Sequence, residues 1–161
     1  MNSNSVLKFT ICIVPPLAVG AIAGFFTSKA IPGWYATLNQ PSFNPPNWVF
    51  GPVWTTLYIL MGLSIFLIWR LPASSTRTKA MVIYYIQLLL NFCWSFLFFY
   101  YKNMGFALIE IFLLWLNIVL MLLYFYKLKP AASYMNIPYL LWVSFATVLN
   151  GAYYLLNQNN L

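Results

Sequence analysis

The chain contains no histidine, no aspartate and a single glutamate, Glu110, among its 161 residues. That scarcity removes whole classes of chemistry. A paired-carboxylate site, a Ser-His-Asp arrangement and a Cys-His nucleophile each need residues this chain does not hold. A His-ligated metal or haem is excluded for the same reason. Met, Cys and Tyr can ligate iron, but here they are scattered without a distinctive spacing, so no metal site is expected. There is no glycine-rich phosphate loop, and a proton relay built from carboxylates would have Glu110 alone to work with.

Charge of either sign is also scarce. Only 6% of residues are charged, against 63% hydrophobic and 20% aromatic, a balance that would leave a water-soluble domain with a largely apolar surface. The chain belongs in lipid. A helix needs roughly 20 apolar residues to cross the hydrocarbon core of a bilayer, and runs of that length occur at 6–27, 48–69, 80–101, 103–126 and 131–156. The expected fold class is therefore an all-α membrane protein, a single domain over 1–161 built as a bundle of five transmembrane helices. The short alternating segments of a membrane β-barrel are not present. The first run is too long for a signal peptide and holds Pro15 and Pro16, so it reads as a retained, kinked helix.

The net charge of +7 does not point to nucleic acid, because the eight Lys and Arg sit at the ends of the apolar runs rather than on one face. They read as topology signals. Lys8, Arg70, Arg77, Lys79, Lys127 and Lys129 fall on the side of the N-terminus, and Lys29 and Lys102 on the other. In a bacterial inner membrane this places the N-terminus in the cytoplasm and the C-terminus outside. Cys12 and Cys93 lie inside apolar runs and read as packing residues.

Between the first two runs lies a stretch, 28–47, with Pro32, Gly33, Pro41, Pro45, Pro46, Trp34, Tyr35 and Phe43. Its length and its prolines suggest a semi-rigid lid over one end of the bundle. The alternative is an aromatic belt at the headgroup level. Gly20 and Gly24 form a G-x-x-x-G pair, which permits close helix approach within the bundle or across a homodimer.

What remains for function is aromatic surface and a few amides. At 3.6 residues per turn, Gln87, Asn91 and Ser95 share one face of the third run with Trp94 beside them, and Asn103, Glu110 and Asn117 recur every seven residues on the fourth. Polar groups at this depth must face the protein interior. The fourth-run stripe reads as interhelical glue, with Glu110 expected to hydrogen-bond to a neighbouring helix. The third-run stripe reads as a pocket wall, faced by Trp54, Tyr58 and Met61 of the second run and by Trp142, Ala146, Leu149 and Asn150 of the fifth. Ala146, one turn beyond Trp142, leaves room for something flat.

The string WYATLNQPSFNPPNWVFGPVWTTLYILMG at 34–62 closely resembles the hallmark segment of the TspO/MBR family, the tryptophan-rich sensory proteins, translocator proteins and peripheral-type benzodiazepine receptors. NFCWSFLFF at 91–99, MGFALIE at 104–110 and PYLLWVSFATVLN at 138–150 are similar to later motifs of that family, in the same order. The resemblance implies five helices and a receptor, sensor or translocator that binds tetrapyrroles such as protoporphyrin IX in an intramembrane pocket. Ligand-binding positions carried over by it are Trp48, Trp54, Tyr58, Asn91, Trp94, Trp142, Ala146 and Leu149. The expected partners are that tetrapyrrole and membrane lipid, with no cofactor required. A second reading is light- and oxygen-dependent porphyrin degradation resting on Trp54 and Trp142, and a third is a structural membrane partner with no ligand of its own. Tyr153 and Tyr154 are followed by no Lys or Arg, which puts sterol binding through an aliphatic-Tyr-basic pattern in doubt, and Phe43 and Phe106 stand where relatives often carry Trp.

Overall fold

The computed structural model describes residues 3–158. In chain order the helices are α1 (Ser3–Ala30), α2 (Asn47–Trp69), α3 (Ser75–Ser95), α4 (Met104–Leu128), α5 (Pro130–Tyr134) and α6 (Ile137–Asn157), with a 3₁₀ turn at Trp34–Thr37 and a π-helical turn at Phe96–Tyr100. Five segments, Ser5–Ala30, Asn47–Trp69, Ser75–Tyr100, Met104–Leu128 and Pro130–Asn157, are long and apolar enough to cross a membrane. The protein is an integral, multi-pass five-helix bundle. Its outer face carries large apolar side chains such as Leu89, Phe106, Leu141 and Leu155, which only acyl chains can solvate.

α1 packs along α2, α3 along α4, and α4 also lies against α5 and α6. Pro15 and Pro16 sit inside α1 without ending it. A proline cannot donate to the carbonyl four residues back, so Pro16 leaves the Cys12 carbonyl without its helical donor. α2 presents Gly62 at that point: a side chain there would meet Cys12 O at 3.0 Å and the Ile13 Cδ1 at 2.7 Å. Glycine is thus required at 62 for the two helices to touch.

Three sequence expectations need correction. The third span starts earlier than 80, at Ser75, because Ser74 caps the helix by accepting from the Arg77 N–H at 3.1 Å. The fifth is interrupted: α5 stops at Tyr134 and α6 begins at Ile137, just before Pro138. The buried Asn136 holds the joint by donating to the Ala132 carbonyl at 2.8 Å. Asn103 does not belong to a stripe inside the fourth helix but caps it, accepting from the Phe106 N–H at 3.0 Å.

The connection between α1 and α2 is folded against the bundle. Tyr35 is only 4% exposed and, with Trp34 and Leu38, packs on Phe98, Leu149 and Tyr153. The Asn157 side chain pairs with the backbone of Asn39, accepting from its N–H at 2.8 Å and donating to its carbonyl at 3.1 Å. The loop therefore caps one end of the bundle, fastened to the end of α6.

Candidate ligand cavity

Between α1, α2, α3 and α6 lies a cavity of about 590 Å³, within the range of roughly 300–1,000 Å³ usual for small-molecule sites. No charged side chain lines it among the described residues; the wall is aromatic and aliphatic, with amides and hydroxyls at intervals. Of the positions singled out in the sequence, Trp54, Tyr58, Asn91, Trp94, Trp142, Ala146 and Leu149 all line it. Trp48 does not. It is 74% exposed on the outside of α2, since six residues along a helix separate it from the Trp54 direction by about 120°.

The wall is set by a relay of hydrogen bonds. Tyr58 donates to Asn91 Oδ1 at 2.6 Å, Asn91 Nδ2 donates to the Tyr139 hydroxyl at 3.1 Å, and Tyr139 donates to Gln87 Oε1 at 2.9 Å. This joins α2, α3 and α6 through side chains that are all buried. The Asn91 amide is thereby spent inside the protein, and the indole of Trp54 stacks on Tyr58 with ring centroids 5.4 Å apart. A second tie fixes Trp94: its Nε1–H donates to Asn150 Oδ1 at 3.1 Å, while Asn150 Nδ2 donates to the Met104 carbonyl at 3.0 Å. Met61, expected on the same face, is fully buried in the core beside Gln87 and does not reach the cavity.

Sequence reasoning missed three parts of the wall. The π-helical turn after Ser95 shifts the helical phase so that both Phe98 and Phe99 line the cavity below Trp94. The turn closes at Lys102, whose φ of 56° is left-handed and which no apolar pattern announces. The lid contributes Tyr35, which accepts from the Tyr153 hydroxyl at 2.7 Å and donates to Asn44 Oδ1 at 3.1 Å. Burial pushes the Tyr35 phenol above its ordinary range, with these hydrogen bonds pulling the other way, so it serves as a neutral donor. The third is α1, whose Gly20, Ala23 and Gly24 form one side; small apolar residues carry no signal of this kind in a sequence.

Glu110 and Asn117 stand apart from the cavity. Glu110 is 8% exposed on α4, and neither of its carboxyl oxygens has a hydrogen-bond partner among the described residues, nor does Asn117 Oδ1. The interhelical hydrogen bond expected of Glu110 is not formed. The described residues contain no group of His, Cys, Asp or Glu able to hold a metal ion, and Cys12 and Cys93 are both free.

A five-helix membrane protein with an uncharged aromatic cavity under a folded lid is the class that fold and site define. The chain belongs to the TspO/MBR family, which residues 12–155 match. It is 41% identical over 154 residues to the tryptophan-rich protein TspO of Archaeoglobus fulgidus, covering 95% of this chain and 99% of the relative. It is 41% identical over 120 residues to the human translocator protein, covering 73% and 70%. With the tryptophan-rich sensory protein of Cereibacter sphaeroides it shares 38% over 126 residues, 78% of each chain.

Proposed function

We propose that this protein is a membrane receptor, sensor or translocator that binds a flat tetrapyrrole such as protoporphyrin IX in the cavity between α1, α2, α3 and α6. The observation that carries the reading is the composition of the wall: Trp54, Trp94 and Trp142 line one cavity with Phe98, and Ala146 keeps the gap beside Trp142 open. Aromatic faces offer a macrocycle dispersion and stacking, worth about 0.5–1.5 kcal/mol per ring pair beyond burial. The absence of charge on the lining favours the macrocycle over its carboxylates as the part held inside. Similarity to proteins named as sensory and translocator proteins supports a binding role.

Titrating protoporphyrin IX into purified protein tests this by quenching of intrinsic Trp fluorescence, because the three cavity indoles would lie within van der Waals reach of the ring. Saturable quenching at a stoichiometry of one per chain is expected, and its absence would remove the reading. Trp54 and Trp142 also leave photo-oxidation open as a second activity, as both oxidisable indoles face the same space. Illumination of the complex in air separates the two: a binder bleaches at the free-ligand rate, whereas a degrader yields a distinct product.

A further inference from the structure

α1 and α2 touch at one end and part at the other. Gly62 meets Cys12 and Ile13, and a Cβ on Gly20 would fall 2.5 Å from the Tyr58 ring, so the helices are in contact through their middle. Beyond that point a side chain added at Gly24 or at Gly51 would meet nothing within 4 Å. Both glycines line the cavity, and both are exposed at the protein surface, as are Ala21, Ser28, Asn47 and Thr55 around them. The cavity therefore reaches the surface through a gap edged by small residues. Gly24 lies six residues inside the end of α1, about 9 Å, and Gly51 four residues inside α2, about 6 Å. Both positions fall within the membrane-spanning segments. The lid side is closed in contrast, because Tyr35 is buried and accepts from Tyr153.

We infer that the cavity is entered sideways, from the bilayer leaflet on the lid side, through the gap between Gly24 on α1 and Gly51 on α2. The ligand is then a molecule already partitioned into the membrane, and the lid acts as a fixed cover rather than the door. Small side chains at the gap set the width that a flat molecule can pass edge-on. The inference uses the binding reading only in supposing that the cavity receives a ligand; the route itself follows from the shape of the wall.

The test replaces Cys12 and Cys93 by Ala, introduces Ala146→Cys as a reporter inside the cavity, and reconstitutes the protein in phosphatidylcholine vesicles. A membrane-partitioning pyrenyl maleimide should modify the reporter, while a membrane-impermeant maleimide should react far more slowly. Adding Gly24→Leu and Gly51→Leu should slow the pyrenyl reagent about tenfold or more, a kinetic barrier with no new contact deep in the site. Each single leucine, projecting into open space, gives the same reading in smaller measure if the pair fails to fold. In the Cys-containing protein, the same leucines should slow both association and dissociation of protoporphyrin IX. Unchanged modification rates in the leucine variants, or equal reactivity toward the impermeant reagent, would overturn the lateral route. Because the thiol readout needs no porphyrin, failure of protoporphyrin to bind would count against the proposed ligand and leave the entrance measured.

Discussion

Tyr58 and Asn91 face each other across the α2–α3 interface, the phenol donating to Asn91 Oδ1 at 2.6 Å, and this contact opens a chain that continues through Tyr139 to Gln87. Asn91 both accepts and donates in it, joining Tyr58 of α2 to Tyr139 of α6. Asn91→Ala leaves the Tyr58 hydroxyl without its acceptor and Tyr139 without its donor. The expected loss is on the order of 1–2 kcal/mol of stability, at the upper end of interhelical hydrogen bonds in membranes. Thermal unfolding in detergent should show a lowered midpoint. Porphyrin affinity should change less than tenfold, because the amide is committed to the protein.

Gly20 and Gly24 make a pair in sequence but play different parts in space. A methyl group at Gly20 would meet the Tyr58 ring at 2.5 Å, whereas one at Gly24 would meet nothing within 4 Å. Gly20→Ala should therefore destabilise the bundle by about 1–3 kcal/mol, the usual penalty for overpacking, and displace the phenol from Asn91. Gly24→Ala should be close to neutral. Parallel melting curves of the two variants decide the matter, with equal midpoints ruling out the asymmetry. The contact with Tyr58 gives Gly20 a packing role inside the chain.

The helices and much of the wall were legible in the sequence because lipid imposes a strict rule: a backbone without water must be helical for about 20 residues at a stretch. The tryptophans and the amide face of α3 were legible for the same reason, since polar groups at that depth have only the interior to turn to. The π-helical turn at Phe96–Tyr100 was not, because an added residue leaves a uniformly bulky run of Phe, Leu and Tyr looking the same in any phase. Nor was the break at Met135 and Asn136 resolved, although Pro138 lay just beyond it. Trp48 belongs to the hallmark string, but its helical angle turns it away from the cavity, and the α1 wall of Gly and Ala has no chemistry to advertise. A lone carboxyl between helices predicts a hydrogen bond for Glu110, which the packing of the described residues does not supply.

The basic residues predict an orientation in the membrane. Lys8 sits over the Trp69 ring at 5.8 Å, so the start of α1 and the end of α2 share one side, with Arg70, Arg77, Lys127 and Lys129 at the same end of the antiparallel bundle. In a bacterial inner membrane, the positive-inside rule predicts that end in the cytoplasm and the lid outside. Ser42, exposed on the lid, gives a direct check in a background with Cys12 and Cys93 replaced. Ser42→Cys should react with an impermeant thiol reagent added to intact cells. Labelling confined to lysed cells would reverse the topology.

Filling the gap beside Trp142 should exclude a flat ligand more effectively than any single polar change. Ala146 and Trp142 both line the cavity, one turn apart on α6, and Phe50 and Phe145 already hold the Trp142 ring at centroid distances of 5.9 and 5.6 Å. That ring cannot readily swing away to admit another. Ala146→Phe places a phenyl where the macrocycle would lie and should weaken protoporphyrin binding at least tenfold, or about 1.4 kcal/mol. Trp48→Ala is the matching control: the indole is 74% exposed on the outer face of α2, so its removal should leave affinity within about twofold while costing little stability, as surface changes usually do. Fluorescence titration of the two variants against the parent reads both, because Trp54, Trp94 and Trp142 remain to report quenching in each. Unaltered affinity in a folded Ala146→Phe protein would place the ligand elsewhere, and a large loss in Trp48→Ala would return the site to the outer surface of α2.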